Sequence, residues 1–299
     1  FFIFFPAPAL TILYGLDKIN FTAMRFCRSR WKIPSVIKEH HMRTILEAKN
    51  LSKTFQLSAR QQRLEKTKNK RKTAVDHLSF EAYEGEIFGI LGPNGAGKTT
   101  TLRMLATLIK PDQGDAVIDG ASIISNPAEA RSKIGFLTSE LKLEEFFTPD
   151  YLFDFFSDLH KVDPQIRDAR KKEMFSKFGI EDFAGVKVAN LSTGMKQKVS
   201  LVISIVHDPN IIIFDEPTNG LDVLTAKTVT DFLLELKARG KTIIISTHIF
   251  SLVEKLCDRV GIIINGKMVL CDALKAVQNG MSLEDRFFDI YAETVGEAE

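Results

Sequence analysis

The chain has 299 residues, of which 44% are apolar and 26% are charged, and its formal net charge is +2. This balance is typical of an ordinary globular chain that is large enough for one sizeable core with a subdomain. No run reaches the roughly 20 apolar residues that a helix needs to cross a bilayer. The three cysteines, Cys27, Cys257 and Cys271, show no metal-binding spacing, which favours reduced thiols in a cytosolic protein over a disulfide framework.

Residues 1–41 differ in composition from the rest of the chain. They hold six of the 23 Phe residues and the single Trp, and their apolar start is interrupted by Pro6, Pro8 and Gly15. The sequence from Met42 onward is typical of a first strand. We therefore expect Met42 to be the true start and residues 1–41 to be translated upstream sequence or disordered. The alternative is that this segment anchors the protein at a membrane surface.

Residues 44–90 predict short strands, and a basic run interrupts them. Between Ala59 and Thr73 there are seven basic residues and one acidic residue, with no aromatic residues among them. This pattern favours a solvated surface loop over a nucleic-acid site, and attraction to anionic lipid headgroups is a second reading. Without residues 1–41 the formal net charge becomes −2, so the basicity of the whole chain is no evidence for nucleic-acid binding either.

The segment 92–100 matches the phosphate-binding pattern G-x-x-x-x-G-K-[ST]. It follows an apolar run, Ile87–Leu91, that predicts a buried strand, and it leads into a helical pattern over 100–109. The glycines let backbone N–H groups approach an anion, and the helix N-terminus adds unpaired N–H groups. Lys98 is predicted to reach the β- and γ-phosphates, and the Thr99 hydroxyl to hold Mg²⁺. The predicted nucleoside triphosphate site consists of Gly92, Pro93, Asn94, Gly95, Ala96, Gly97, Lys98, Thr99 and Thr100.

The stretch 140–190 predicts helices. Thr148-Pro149 and Asp163-Pro164 each combine a capping residue with a proline at the first helical position. Apolar residues recur at helical spacing in the first of these helices, which favours core packing over a cofactor role. They are Phe153, Phe156 and Leu159.

Two acids follow an apolar run in the second half of the chain. Ile211–Phe214 leads directly into Asp215 and Glu216, which predicts a central strand whose C-terminal end carries both acids. Open α/β sheets bind their ligands at that edge. A helix from about Leu224 to Arg239 follows, and Thr242–Thr247 then predicts a strand that ends at His248.

The order of these features resembles the nucleotide-binding domain of ABC ATPases. The set comprises the loop lysine Lys98, the segment Leu191–Gly194 (LSTG), the acid pair and the strand-end histidine, and the resemblance runs from about Met42 to the C-terminus. It implies an α/β fold of the P-loop NTPase, ABC type. The domain 42–299 would combine an antiparallel β subdomain with an α-helical subdomain inserted at about 140–190.

The resemblance also implies how the site is completed. Ser192 and Gly194 of a second copy would cap the γ-phosphate, so that two ATP molecules are held between two chains. Asp222 would link the two sites across that interface. Phe55 would stack on adenine, where the family more often has Tyr, and the alternative for Phe55 is a core or turn aromatic.

Hydrolysis of the γ-phosphate needs charge neutralisation, an aligned water and a base. Lys98 and Mg²⁺ would supply the first, with Thr99 on the metal and Asp215 holding its waters. Glu216 is the predicted general base. His248 is predicted to contact the γ-phosphate and sense its presence. The alternatives are that the two acids only fix the turn at Pro217 and that His248 is structural.

Four segments resemble most closely the ATP-binding subunits of bacterial sodium-extruding ABC exporters of the NatA type. The resemblance implies an ATPase on the cytoplasmic face of the cell membrane that drives export through a separate integral-membrane permease, with sodium as the first candidate cargo. Alternatives are an exporter of drugs, lipids or polysaccharides, a soluble ABC ATPase, and a nucleotide-gated adaptor without turnover. No nucleic-acid partner is expected. The segments are Thr99–Leu108, Gly194–Val199, His207–Pro209 and Val253–Arg259.

Two places depart from the family pattern. Ser139 stands where the family commonly has a glutamine that joins Mg²⁺ and signals to the membrane partner, and Glu140 is the alternative for that role. The LSxG segment has Thr193 and Met195 in place of the usual glycine and glutamine. The first departure concerns coupling to the partner, while the second leaves both predicted phosphate contacts in place.

Overall fold

Two β-sheets organise the residues that this computed structural model describes, which are 43–64, 67–138 and 143–296. The predictions for residues 1–41, for a start at Met42, and for Ser139 and Glu140 lie outside these ranges. None of the helices within the ranges is long and apolar enough to span a bilayer.

The strands, in chain order, are β1 Thr44–Gln56, β2 Arg71–Tyr83, β3 Ile87–Leu91, β4 Gln113–Ile118, β5 Ala121–Ser122, β6 Ile134–Thr138, β7 Ile211–Asp215, β8 Thr242–Thr247, β9 Arg259–Ile264 and β10 Lys267–Ala273. The helices are α1 Ala59–Leu64, α2 Lys98–Leu105, α3 Pro127–Ser132, α4 Pro149–Leu159, α5 Pro164–Phe178, α6 Thr193–Ser204, α7 Val223–Ala238, α8 Phe250–Leu256, α9 Leu274–Gln278 and α10 Leu283–Gly296. Short 3₁₀ turns cover Glu181–Phe183 and Val188–Asn190.

The larger sheet brings the predicted motifs to one edge. Its order is β10-β9-β3-β8-β7-β6, and all neighbours are parallel except β10 and β9. Strand β8 lies between β3 and β7, with Leu91 opposite Thr247 and Asp215 opposite Ser246. The C-terminal ends of these three strands are therefore adjacent. As the sequence predicts, β7 is an interior strand, since it is buried throughout and paired with β6 on one side and β8 on the other.

Alternate residues of the buried strands face two different cores. Ile212 and Phe214 of β7 pack in the core that contains α4 to α10. Ile211 and Ile213 pack instead with α2, α3 and the antiparallel sheet. Because successive side chains of a strand point to opposite faces, a strand covered on both faces is apolar throughout. This explains the continuous apolar runs before each motif.

The smaller sheet is antiparallel, in the order β2-β1-β4-β5. The prediction of short strands here is wrong, since β1 and β2 each have 13 residues and accommodate their twist through register shifts. The first part of the basic run, Ala59–Leu64, forms the short helix α1, which buries no residue, and its last part from Arg71 belongs to β2. The predicted surface loop is therefore shorter than the basic run.

Helices α4 and α5 confirm the predicted starts. The Thr148 hydroxyl accepts a hydrogen bond from Tyr151 N at 3.2 Å, and the Asp163 carboxylate accepts one from Gln165 N at 2.9 Å. Both helices have proline at the first position, where its missing N–H costs nothing. The expected core stripe is right for Phe153, which is fully buried. It is wrong for Leu159, which is 63% exposed because it is the last residue of α4.

Helix α2 is shorter than the sequence predicts. It ends at Leu105 rather than Ile109, and Thr107 has a left-handed backbone with φ of 59°. Its start at Lys98 follows Gly97, whose φ of 109° turns the loop into the helix. The strand, loop and helix of the phosphate-binding pattern are therefore contiguous, as predicted.

Candidate functional site

A cavity of about 360 Å³ opens at the C-terminal edge of the parallel strands. Its walls come from the loop after β3, the turn after β7, the residue after β8, and the paired ends of β1 and β2. Most of the residues predicted to bind nucleotide within one chain meet here. The lining consists of Phe55, Lys72, Ala74, Asn94, Gly95, Gly97, Lys98, Thr99, Thr100, Glu216, Asn219 and His248.

Two glycines of the loop are required by close backbone contacts. A Cβ on Gly97 would lie 2.3 Å from the Ala74 carbonyl oxygen, and the φ of 109° is itself unfavourable for a side chain. A Cβ on Gly92 would lie 2.3 Å from the Ile263 carbonyl oxygen. Both distances are far below van der Waals contact, so any side chain would displace the loop. Gly92 therefore shapes the loop from beneath and does not line the cavity.

The Lys98 ammonium lies in the bend of the loop. It is buried and donates hydrogen bonds to the carbonyl oxygens of Gly92 at 2.8 Å and Pro93 at 3.2 Å. Its Nζ is 3.7 Å from Glu216 Oε1. Burial lowers the pKa of Lys98, while the carboxylates of Glu216 and Asp215 act in the opposite direction.

Thr99 and Asp215 form the pair that was predicted to hold a metal. The Thr99 hydroxyl donates to Asp215 Oδ1 at 3.2 Å, and the Ser246 hydroxyl donates to the same oxygen at 2.5 Å. Asp215 is 1% exposed. Hard oxygen donors of this kind fit Mg²⁺, which usually takes few protein ligands and fills its shell with phosphate and water. Among the residues that the structure describes, no group of three or more His, Cys, Asp or Glu side chains could hold a metal ion.

The backbone of Glu216 turns toward the neighbouring strand β8. Glu216 has a left-handed backbone with φ of 53°, and its N–H donates to the Ser246 carbonyl oxygen at 3.1 Å. The His248 Nδ1 lies 3.0 Å from Glu216 Oε1. The side chain of Glu216 is 12% exposed and that of His248 is 44% exposed. The carboxylate therefore lies between the Lys98 ammonium and the imidazole at the mouth of the cavity.

Phe55 lies at the end of β1 and faces the cavity. It is 37% exposed, and the Lys53 ammonium lies 5.8 Å from its ring centroid. Lys53 also donates to the Asp112 carboxylate at 2.8 Å, which fixes it on one side of the ring. The position is suited to stacking a flat ligand, and the role in adenine binding stays a prediction.

The three residues predicted to act across an interface with a second copy lie outside the cavity lining, as do Gly92, Pro93, Ala96 and Asp215. Ser192 is exposed at the N-cap of α6, where its hydroxyl accepts a hydrogen bond from Met195 N at 3.2 Å, and Gly194 has open space around it. The Asp222 carboxylate caps α7 by accepting from the backbone N–H groups of Leu224 and Thr225, each at 3.0 Å. It also accepts from Thr225 Oγ1 at 2.7 Å, and the hydrogen bonds from Thr225 lower the pKa of Asp222. Within one chain these residues do not complete the site, so their predicted roles require a second copy.

Four residues at the site escaped the sequence analysis. Lys72 was assigned to the surface loop, yet it lines the cavity because it pairs with Phe55 in the β1–β2 register. Ala74 and Asn219 line the cavity too, and Ser246 donates to Asp215. Only Asn219 carries a sequence signal, since it follows the acid pair by three residues. The others depend on strand pairing.

Comparisons with known proteins agree with this geometry. The family model described as ABC transporter matches residues 75–219. The chain is 38% identical to the ABC transporter ATP-binding protein NatA of Bacillus subtilis over 71% of this chain and 87% of that protein. It is also 38% identical to the Nod factor export ATP-binding protein I of Burkholderia lata, over 66% of this chain and 65% of that protein.

A solved structure shows the same fold. It is the dimeric post-hydrolysis state of the ATP-binding cassette MJ0796 bound to ADP and Pi, with a TM-score of 0.67 and 26% identity over 77% of this chain and 98% of that chain. The phosphate loop and the acid pair lie within the residues that the family model matches. The chain therefore belongs to the ATP-binding proteins of the ABC transporter family.

Proposed function

We propose that this chain hydrolyses ATP with Mg²⁺ and thereby powers export through a separate integral-membrane permease at the cytoplasmic face of the cell membrane. The observation that carries the hydrolysis step is the position of the Glu216 carboxylate, 3.7 Å from Lys98 Nζ and 3.0 Å from His248 Nδ1. A carboxylate at the edge of a phosphate-binding cavity is placed to take a proton from water that attacks the γ-phosphate.

The other side chains support the same step. Lys98 and the loop N–H groups would neutralise the phosphate oxygens. Lys98 would then donate to phosphate oxygens in place of the loop carbonyls to which it donates in this structure. Thr99 and Asp215 would hold Mg²⁺, which supplies further charge neutralisation at the phosphates when it is bound. His248 would orient Glu216 and contact the γ-phosphate.

A second copy of the chain would complete the site. Ser192 and Gly194 lie at the N-terminus of α6, outside the cavity of their own chain. A helix N-terminus offers unpaired N–H groups to an anion, so these residues suit a γ-phosphate held by another copy. The dimeric state of MJ0796 bound to ADP and Pi supports such a dimer. Asp222 would link the two sites.

Sodium is the first candidate cargo because the NatA relative is 38% identical to this chain, and NatA-type proteins are the family that the sequence resembles. The Nod factor export relative has the same sequence identity to this chain, 38%, which favours an organic cargo as the second candidate. Both candidates place the cargo path in the permease, so the cargo is decided by a different chain.

The hydrolysis proposal is tested with Glu216→Gln. We expect kcat for ATP to fall by about 10²–10⁴-fold, because the amide cannot accept the proton. The variant should still bind ATP and accumulate as an ATP-bound dimer in size-exclusion chromatography. The matched control is Glu84→Gln, whose side chain is 51% exposed and pairs with Arg43 on the smaller sheet. Parental turnover in Glu216→Gln would show that Glu216 is not the base.

The transport proposal is tested by extracting the tagged protein from its native membranes in mild detergent. A polytopic protein that copurifies in stoichiometric amount would support it, and reconstitution of that pair would compare ATP-driven efflux of sodium with efflux of organic substrates. Copurification of ribosomes or DNA instead would favour a soluble ABC ATPase.

A further inference from the structure

The segment that carries His248 leads directly into a weakly started helix. Helix α8 begins at Phe250, two residues after His248, and it has only seven residues. Within the described part of the chain, no side chain caps its N-terminus, where Ile249 is the N-cap residue. A short helix without a cap depends on packing for its orientation. Leu252, Val253 and Leu256 pack α8 into the core, and Phe250 provides the packing at its first residue, next to the segment that carries His248.

The C-terminal helix α10 supplies those contacts. The ring of Phe250 packs against Phe287 with centroids 5.3 Å apart and against Phe288 with centroids 6.2 Å apart. Phe287 is 6% exposed and belongs to the core beneath the parallel sheet, while Phe288 is 56% exposed. The first residue of α8 is thus held by two neighbouring rings of α10.

A second contact joins the same two helices. Glu254, one turn further along α8, accepts hydrogen bonds at Oε1 from Leu283 N at 3.0 Å and from Gln278 Nε2 at 2.9 Å. Leu283 is the first residue of α10, so the Glu254 carboxylate satisfies one of the free N–H groups of that helix. Helix α8 is therefore fixed to α10 at two points on successive turns.

The side chain of His248 itself is less firmly held. Its side chain is 44% exposed, and its contact at the site is the hydrogen bond between Nδ1 and Glu216 Oε1. We propose that α10 is a positioning element for ATP hydrolysis, which holds His248 against Glu216 through the packing of Phe287 and Phe288 on Phe250. This inference rests on the proposed role of His248. Phe250, Phe287 and Phe288 do not line the nucleotide cavity, so they act through His248.

The experiment measures two quantities on the full chain. The first is steady-state ATP hydrolysis, and the second is the affinity for a non-hydrolysable ATP analogue relative to ADP, from competition with a fluorescent nucleotide. For Phe250→Ala we expect kcat to fall about tenfold, because misplacement of a catalytic group weakens transition-state stabilisation, and we expect KM for ATP to rise in step with the loss of analogue affinity. The preference for the analogue over ADP should fall as it does in His248→Ala.

A double variant separates positioning from general loosening. If Phe250 acts through His248, Phe250→Ala combined with His248→Ala should match His248→Ala alone in both quantities, since coupled residues are not additive. Phe250→Tyr retains the ring and should stay within about twofold of the parent. Ile290→Val on the buried side of α10 is the matched control, because it removes core volume without removing a ring from Phe250.

The outcomes distinguish the inference from the proposed function. If His248→Ala leaves the analogue preference unchanged, the proposed role of His248 is wrong and the inference falls with it. If His248→Ala lowers that preference and Phe250→Ala keeps parental values, or if the double variant shows additive losses, only the inference is wrong. Should Phe250→Ala not fold, Phe288→Ala replaces it, since Phe288 is half exposed. Parental values in that variant would equally overturn the inference.

Discussion

At the scale of single residues, glycines of the phosphate loop differ in what they do. Gly97 and Gly95 both have positive φ, at 109° and 81°. A Cβ on Gly97 would overlap the Ala74 carbonyl oxygen at 2.3 Å, whereas a Cβ on Gly95 would meet no atom within 4 Å. Both positions have a backbone conformation that favours glycine. Of the two, only Gly97 would also bring a side chain into collision with strand β2.

We therefore expect Gly97→Ala to be much more harmful than Gly95→Ala. Backbone strain at a left-handed position costs of order 1 kcal/mol for either change. The collision adds about 1–3 kcal/mol for Gly97→Ala and moves the loop, which should weaken ATP binding at least about tenfold. Denaturant unfolding and nucleotide titration of both variants check this. Equal losses in the two variants would show that the contact with Ala74 is unimportant.

At the scale of elements, a pair of histidines joins the end of α4 to the end of α6. The rings of His160 and His207 are stacked with centroids 3.9 Å apart. His207 Nε2 lies 3.1 Å from the Ile134 carbonyl oxygen, so this nitrogen carries the proton. The other nitrogen, Nδ1, is buried and has no hydrogen-bond partner among the described residues. A second proton would therefore place a charge at an unpaired site.

This geometry predicts lower stability in acid. Burial, followed by the neighbouring His160, lowers the pKa of His207 to about 4; Arg170 also lowers it, while Ile134 and Asp208 raise it. Burial lowers the pKa of His160 as well. Between pH ~6.5 and ~4 the unfolded chain binds a proton that folded His207 does not, so the free energy of unfolding falls as pH falls through that window. Allowing for solvent contact, we expect a loss of about 1–2 kcal/mol.

Denaturant unfolding at about pH 7.5 and about pH 5 measures this loss. In His207→Gln the amide can still donate to Ile134 but does not titrate, so the difference between the two pH values should shrink. The control is His77→Gln, whose side chain is 65% exposed and pairs with Asp76 on the smaller sheet. An unchanged pH dependence in His207→Gln would assign the acid sensitivity to other groups.

At the scale of the whole molecule, two large apolar side chains are strongly exposed at the start of α7. Val223 and Leu224 are 85% and 77% exposed, and they directly follow Asp222 at the start of α7. Asn219, three residues before Asp222, lines the cavity. In the proposed ATP-bound dimer these side chains are expected to be buried between the two copies, which accounts for apolar residues at the first turn of a surface helix.

Leu224→Glu should therefore prevent ATP-dependent dimerisation while leaving the single chain stable. An unpaired carboxylate buried in an interface costs several kcal/mol, but in the exposed first turn of a helix it is favourable. Size-exclusion chromatography of Leu224→Glu in the Glu216→Gln background, with and without ATP, measures the effect. Leu64→Glu is the control because Leu64 is 74% exposed on α1. A normal ATP-bound dimer in Leu224→Glu would contradict the proposed interface.

The local parts of the site follow from short stretches of the amino-acid sequence. The strand, glycine loop and helix around Lys98 are contiguous in the chain, and so are β7 with Asp215 and Glu216. Their conformations follow from short-range rules, namely buried apolar runs, turn glycines and capping residues, so the predicted strands of the parallel sheet and most helix starts agree with the structure. The long strands of the antiparallel sheet were not predicted. The predicted end of α2 failed because nothing in the sequence marks the left-handed turn at Thr107.

Which of these parts meet depends on how the strands and helices pack in three dimensions. The order β3-β8-β7 places His248 beside Glu216, although 32 residues separate them in the chain. The register of β1 and β2 brings Lys72 opposite Phe55, and α10 reaches the start of α8 through Phe287. Strand order, register and helix packing are set by long-range burial that no local pattern encodes. For that reason the chemistry could be predicted from the chain, while the side chains that position it could not.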